Sequence, residues 1–148
     1  MHIVKVVNKS KFDLPVCESE GASGMDLRAN FETTEHARHI DPYASVLIPT
    51  GIYIEIPIGY EAQVRTRSGL ALKYGLVVLN SPGTIDADYR GEVGVIIHNT
   101  GGAPQMIKDG DRIAQLVFAK VEHIEWQEVT QLGVTERGGN GFGSTGKS

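Results

Sequence analysis

The stretch Gly83-Thr84-Ile85-Asp86-Ala87-Asp88-Tyr89-Arg90-Gly91-Glu92 holds two carboxylates, a phenol and a guanidinium between two glycines. Apolar runs flank it at residues 76–79 and 93–97. Apolar runs separated by Gly and Asp predict two strands joined by a tight turn, with polar groups at its tip. A hairpin tip of this composition is ordinarily a solvated turn. Whether it carries chemistry therefore depends on the rest of the chain.

Short apolar runs with period-two alternation recur along the chain and predict a fold built almost wholly of strands. The clearest run is residues 51–56, in which three isoleucines alternate with Tyr53 and Glu55. The predicted strands are residues 3–7, 22–29, 45–48, 51–56, 61–67, 76–79, 93–97, 111–121 and 122–129. Residues 32–42 and 101–110 are polar and are predicted to be loops.

One short helix is predicted, from Ser68 to Tyr74, with Ser68 as its N-cap and Gly75 at its end. Many short strands, Gly and Pro turns and so little helix indicate an all-β sandwich, jelly roll or barrel. The length of 148 residues suits one domain, which we place at residues 1–132. Residues 133–148 are dominated by Gly, with few apolar side chains, and are predicted to form a flexible tail.

Composition excludes several classes of protein. The formal net charge is -4, from 14 Lys and Arg against 18 Asp and Glu, which argues against a general nucleic-acid binder. A single cysteine, Cys17, excludes a disulfide framework, a zinc site of paired cysteines and a zinc deaminase. No apolar run approaches the roughly 20 residues that span a bilayer, and the first residues do not resemble a signal peptide. We therefore expect a cytoplasmic protein without nucleic-acid or membrane partners.

Several polar residues outside the hairpin suggest an anion site, although each has an ordinary alternative. The segment Arg67-Ser68-Gly69 lies at a predicted strand-to-helix junction, where free amides attract anions, but a plain serine cap beside a surface arginine explains it equally well. Asp26 and Gln115 lie on polar strand faces that solvent exposure also explains. Residues 141–148 match G-x-x-x-x-G-K-[ST], but a phosphate-binding loop of that kind requires a following helix. The tail is either disordered or ordered over a ligand.

Taken together, five segments in order resemble the motifs of the trimeric dUTPase family, the deoxyuridine triphosphate nucleotidohydrolases. They are residues 22–29, 67–71, 83–92, 110–116 and 137–146. The resemblance implies a jelly-roll-like β-barrel or sandwich of the β-clip type, assembled as a homotrimer. It also implies active sites at subunit interfaces, each covered by the C-terminal tail of a further subunit. One departure is Thr66, where many family members carry proline.

The resemblance also implies a role for each matching residue. Asp86 would be the general base that activates water, and the Tyr89 ring would pack against deoxyribose and exclude a 2′-hydroxyl. Asp26 would hold water on a bound Mg²⁺. Phosphate contacts are implied for Arg67, Ser68, Gly69, Gln115, Arg137, Ser144 and Thr145. Uracil contacts are implied for Asn80, Gly83, Thr84, Ile85 and Phe142, and Gly143 completes the implied substrate-binding set.

The function that the resemblance implies is Mg²⁺-dependent hydrolysis of dUTP to dUMP and pyrophosphate at the α-phosphate. This reaction keeps uracil out of DNA and supplies dUMP for dTMP synthesis. The related dCTP deaminases use a glutamate a few residues downstream of the hairpin, whereas here Glu92 lies at the turn and the following strand carries no acid. That difference favours hydrolysis over deamination. A non-catalytic dUTP-sensing module on the same fold is the other alternative.

Overall fold

The computed structural model describes residues 2–141, and this part of the chain contains eleven strands and one helix. The strands are β1 (Lys5–Asn8), β2 (Met25–Arg28), β3 (Ala37–Ile40), β4 (Ser45–Ile48), β5 (Ile52–Glu55), β6 (Tyr60–Arg65), β7 (Leu76–Val78), β8 (Gly83–Ile85), β9 (Val95–Asn99), β10 (Gln105–Lys108) and β11 (Arg112–Lys120). The helix α1 (Ser68–Tyr74) lies between β6 and β7. The prediction of an all-β fold with one short helix is confirmed.

The strands form small antiparallel sheets. The largest has the order β2-β11-β6-β8, and the next has the order β4-β9-β7. Two further pairs are formed by β1 with β5 and by β3 with β10. The sheets do not close into a single barrel. This arrangement is a jelly-roll-like fold of the β-clip type.

One hydrophobic core joins the sheets, and the alternating residues of the sequence supply it. The isoleucines of residues 51–56 are buried, as their spacing predicts, and so are Leu27 of β2 and Ala29 just after that strand. Each fully buried Leu or Ile side chain stabilises the fold by roughly 1.5–3 kcal/mol. The core therefore fixes the large sheet, whose polar face and strand ends carry the residues of the candidate site.

Two segments that were predicted to be loops are strands. β3 and β10 pair with each other, with Ile40 opposite Gln105 and Lys108 opposite Ala37. Each strand buries one isoleucine, Ile40 or Ile107, and its other residues are half-buried or exposed. A single buried residue in four leaves too little alternation to mark a strand, so the loop prediction for residues 32–42 and 101–110 was wrong there.

The predicted tight turn after β7 was also wrong. β7 and β9 do pair, with Leu76 opposite Asn99, but the chain between them leaves their sheet. Its residues Gly83–Ile85 form β8, which pairs with β6 instead. Within this long connection between β7 and β9, the start of the polar stretch therefore forms the strand β8, which belongs to the large sheet.

The predictions of a last strand and of the helix N-cap were both wrong. Residues 122–129 contain no strand, and Ile124 and Trp126 are exposed, because no neighbouring strand in the described chain offers them a partner. The helix has the predicted bounds, but its N-cap is Arg67, with no side-chain hydrogen bond from the cap. Gly75 ends the helix with a φ of 64°, as predicted for a glycine C-cap.

Within residues 2–141, no helix has both the length and the apolar character that crossing a membrane requires.

Candidate active site

The first group of site residues lies where β2, β11 and β6 meet. Gln115 of β11 lies opposite Asp26 of β2 on one side and opposite Arg65 of β6 on the other. Two residues beyond Arg65 the chain reaches Arg67, and α1 starts at the next residue. The sheet register thus brings three predicted segments together, although they are far apart in the sequence. We call Asp26, Arg67, Arg112 and Gln115 the cationic cluster.

Two guanidinium groups hold the Asp26 carboxylate. Arg67 Nε lies 2.9 Å from Asp26 Oδ1, and Arg112 Nη1 lies 3.3 Å from Asp26 Oδ2. Arg67 also donates through Nη1 to the backbone oxygen of Arg112, at 2.9 Å. The side chains of Asp26 and Arg67 are only 17% and 24% exposed, so these contacts fix the Arg67 fork. A fixed fork beside the exposed Ser68 and Gly69 can bind phosphate oxygens at several points.

Arg112 is a member of the cluster to which the sequence assigned no site role, although it lies within the matched segment 110–116. Its Nη1 atom lies 3.2 Å from Glu18 Oε1, in addition to its contact with Asp26. Arg112 begins β11 just after a turn, a place where a surface arginine is unremarkable. No sequence signal connects it to residues 18 and 26, because only the pairing of β2 with β11 brings them together.

The second group of site residues is the excursion between β7 and β9. β8 places Gly83 and Ile85 inside the sheet, where both are buried, while Asp86, Tyr89 and Asn80 remain exposed. A cavity of about 180 Å³ opens here, lined by Thr84, Ile85, Asp86, Tyr89, Glu92, Val93 and Gly94. The structure thus brings the predicted base and the predicted sugar-contacting ring to one cavity. We call residues 80–92 the excursion loop.

Thr66 links the two groups. Its backbone N–H donates to Ser81 Oγ at 3.2 Å, and its hydroxyl oxygen accepts from the Val78 N–H at 2.9 Å. A proline at this position would lack the first of these bonds, because it has no N–H. The departure from the usual family residue therefore ties the strand that leads into Arg67 to the start of the excursion loop.

Within one chain, however, the base and the cationic cluster are far apart. Through the strand β11 between them, Asp26 is in register with Arg65 of β6. Ile85 of β8 is paired with Ala62 of β6, so the next residue, Asp86, is offset from Asp26 by about four residues along the strand direction. The two aspartates are also three strands apart in the order β2-β11-β6-β8. At strand spacings of about 4.8 Å and rises of about 3.3 Å per residue, their separation is roughly 20 Å.

A resident metal site is not built into the described chain. Among residues 2–141 no group of three or more His, Cys, Asp or Glu side chains converges to hold an ion. Asp26, the predicted metal residue, already contacts two guanidinium groups. One carboxylate of this kind suits Mg²⁺ that arrives on a polyphosphate and keeps most of its waters, which is the usual way proteins bind this ion with nucleotides.

The described part of the tail, residues 133–141, forms no hydrogen bond or ion pair with either group. Arg137 donates from Nε to the Asn140 backbone oxygen at 2.8 Å, and this segment is exposed. The predictions for Phe142, Gly143, Ser144 and Thr145 concern residues outside the described part of the chain.

Comparisons with known proteins agree on one family. The dUTPase family model matches residues 10–146. The deoxyuridine 5'-triphosphate nucleotidohydrolase of Desulfotalea psychrophila is 57% identical over 133 residues, which are 90% of this chain and 87% of that protein. The protein of the same name from Fusobacterium nucleatum is 48% identical over 144 residues, which are 97% of each chain.

Solved structures show the same fold. A dUTPase mutant of Staphylococcus bacteriophage 80alpha, solved with dUpNHpp, is 26% identical, has a TM-score of 0.86 and covers 99% of both chains. A dUTPase mutant of phage phi11 of S. aureus, described with a structural Mg(II) ion, is 24% identical, with a TM-score of 0.76 over 88% of this chain and 98% of that one. The motifs, the fold and these likenesses lead to one conclusion: the chain belongs to the dUTPase family.

Proposed function

We propose that the protein hydrolyses dUTP to dUMP and pyrophosphate, in active sites that two neighbouring copies build together. The proposal rests on the observation that the site residues lie in two separate groups, each suited to a different part of the substrate. The excursion loop holds the groups suited to a nucleoside and a water molecule, and the cationic cluster holds those suited to a polyphosphate. Family membership identifies the nucleotide as dUTP.

Asp86 is the proposed general base. Its side chain is exposed beside the cavity, and among residues 2–141 it has no hydrogen-bond or ion-pair partner. A carboxylate without such partners is free to take a proton from a water molecule in line with the α-phosphorus. Its neighbour Asp88 is also exposed but does not line the cavity, so we assign Asp88 no chemical step.

Tyr89 and the backbone of residues 83–85 are proposed to select the nucleoside. The Tyr89 ring lines the same cavity as Asp86, where it would pack against deoxyribose and leave no room for a 2′-hydroxyl. Asn80 and the backbone groups of β8 would hydrogen-bond the uracil edge. A slot that requires a given pattern of hydrogen bonds rejects a mispaired base more strongly than a methyl clash alone.

The cationic cluster is proposed to bind the phosphates. The Arg67 fork, the Ser68 hydroxyl, the Gly69 amide and the Gln115 side chain supply donors that need little rearrangement when charge develops in the transition state. Mg²⁺, when bound to the triphosphate, offsets its charge, and Asp26 would hold one of the waters of that ion. The net charge of -4 is no obstacle, since recruitment depends on these local groups.

The separation of the two groups supports an assembly of several copies, and the resemblance to the family makes a homotrimer the expected one. A dUTP molecule cannot contact Asp86 and Arg67 of the same chain across roughly 20 Å and still place its α-phosphorus beside the base. A second copy that presents its cationic cluster to the excursion loop of the first would complete the site, and a closed ring of three copies gives every site the same composition. Residues 133–148, with Arg137 on the γ-phosphate, are proposed to cover the site and exclude water.

Deamination of dCTP is the less favoured function for a structural reason. The Glu92 Oε1 atom accepts hydrogen bonds from the backbone N–H groups of Thr50 and Gly51, which commits this carboxylate to the turn between β4 and β5, and the following strand β9 carries no acid. A non-catalytic sensor is also less favoured, because such a protein would not need an exposed carboxylate, Asp86, beside the cavity that Tyr89 lines.

The test is pyrophosphate release from dUTP, dTTP, dCTP and UTP, with and without Mg²⁺, alongside ammonia release from dCTP. We expect Mg²⁺-dependent release from dUTP alone. Asp86→Ala should lower turnover by about 10²–10⁴-fold, the usual contribution of a general base. Asp88→Ala is the matched control, since it removes an exposed carboxylate two residues away, and should retain activity. Unchanged turnover in Asp86→Ala, or ammonia from dCTP, would contradict the proposal.

A further inference from the structure

Glu92 fastens the end of the excursion loop to a turn from a distant part of the chain. Its Oε1 atom accepts hydrogen bonds from the Thr50 N–H at 3.0 Å and the Gly51 N–H at 2.6 Å. Both amides belong to the turn between β4 and β5. A carboxylate that accepts from two backbone amides forms charge-assisted bonds, which are stronger than neutral ones. We call these two bonds the Glu92 clamp.

The neighbouring residue reinforces this attachment. Val93 donates its N–H to the Ile52 backbone oxygen at 2.8 Å and accepts from the Thr50 hydroxyl at 2.5 Å. Glu92 also forms an isolated antiparallel bridge with Tyr53. The backbone at residues 92 and 93 is therefore held from several sides, and removing the Glu92 carboxylate alone should leave the fold intact.

The Tyr89 ring takes its position from the same backbone. Its phenol donates to the Glu92 backbone oxygen at 3.0 Å, the only hydrogen bond of this side chain within residues 2–141. The ring lies directly over Gly91, where an added Cβ would collide with the phenol oxygen. The ring thus rests on residues 91 and 92, and any shift of that backbone moves it.

We propose that Glu92 is a positioning residue that sets selectivity for deoxyribose over ribose by fixing the Tyr89 ring. The inference rests on the proposed function. To exclude ribose, the Tyr89 ring must occupy the space that a 2′-hydroxyl group would fill. The ring must therefore be held in place to within a fraction of an ångström. Without the clamp, the Val93 bonds and the bridge to Tyr53 still preserve the fold, but the backbone oxygen of Glu92 is held less firmly, and the phenol that donates to it loses its fixed position.

The test compares kcat/KM for dUTP and for UTP in Glu92→Ala, Glu92→Gln and Tyr89→Phe. Glu92→Ala should lower the dUTP-to-UTP ratio roughly tenfold, within the range that packing against a single small group provides. Glu92→Gln keeps a side-chain oxygen for the two amides and should retain most of the ratio. Tyr89→Phe loses the anchor without touching the clamp, and its loss of ratio should not add to that of Glu92→Ala.

Glu35→Ala is the matched control, because Glu35 also accepts two hydrogen bonds, from Arg38 at 2.8 and 2.7 Å, and lies outside the excursion loop. Its ratio should equal that of the wild type. A wild-type ratio in Glu92→Ala would overturn the inference, even if its thermal stability fell. A wild-type protein that releases no pyrophosphate from dUTP would instead overturn the proposed function on which the inference rests.

Discussion

Subunits of two inactive variants, Asp86→Asn and Arg67→Gln, are expected to restore activity when they are mixed. Each variant alone should disable every site of the proposed trimer, since one lacks the proposed base and the other lacks the proposed phosphate-binding fork. In a mixed trimer, a site is intact when its excursion loop comes from an Arg67→Gln subunit and its cationic cluster from an Asp86→Asn subunit. The prediction follows from the roughly 20 Å between the two groups in one chain.

The size of the effect follows from counting. In an equal mixture with random assembly, the required loop and the required cluster each occur with a chance of one half, so about a quarter of the sites are intact. The double variant Asp86→Asn/Arg67→Gln mixed equally with wild type separates the models further. About a quarter of those sites would be active if the two groups act between subunits, and about half if they act within one subunit.

The assay is pyrophosphate release from dUTP after the two proteins are unfolded together in urea and refolded at equal concentration. Each variant treated alone gives the background, and refolded wild type gives the full scale. A mixture that stays at background, together with half activity in the double-variant mixture, would refute the division of the site between copies.

Three further predictions concern stability, pH and the tail. Asn99 is fully buried and donates hydrogen bonds to the backbone oxygens of Ile40, Asp41 and Ala103. Asn99→Leu should therefore lower the free energy of unfolding by about 2–4 kcal/mol in urea titrations. A change below about 0.5 kcal/mol, the size that surface substitutions reach, would contradict this. Burial acts to raise the pKa of Asp109, but hydrogen bonds from Lys11 and the Phe31 amide hold it below its usual 3.8, so its stabilising contribution is complete above that pH and is lost as the pH falls further. Asp109→Asn should therefore show a flatter fall of Tm in acid than wild type, and identical acid limbs would count against the assignment. Deleting residues 135–148 should cut turnover by orders of magnitude while sedimentation still reports a trimer, and an unaffected rate would remove the tail from the site.

The parts of the fold that could be predicted are those with strong local patterns. The isoleucines of β5 alternate strictly and lie in the core as expected, as does Leu27 of β2, whereas Met25 on the same face is only half-buried. The short helix was found because good helix formers end at Gly75, whose left-handed conformation stops it. β3 and β10 were missed because each buries a single isoleucine and is stabilised by pairing with the other, which is a contact between distant residues.

The residues of the candidate site also differ in whether the sequence alone could group them. The excursion loop is continuous in the sequence, so its residues are neighbours along the chain and could be grouped by their order alone. The pairing of Asp26 with Arg67 and Arg112 depends on the register of three strands, which no local pattern reveals. The Glu92 clamp was missed for the same reason, since its two donors lie in the turn before β5.

The proposed role of Asp86 in directing water to the α-phosphorus of dUTP is tested most directly by heavy-oxygen labelling. A single turnover of dUTP in water enriched in heavy oxygen, followed by mass spectrometry of both products, shows which phosphorus was attacked. We predict that the label enters the phosphate of dUMP and that Asp86→Asn abolishes its incorporation. Label in pyrophosphate with unlabelled dUMP, or normal labelling in Asp86→Asn, would contradict this role.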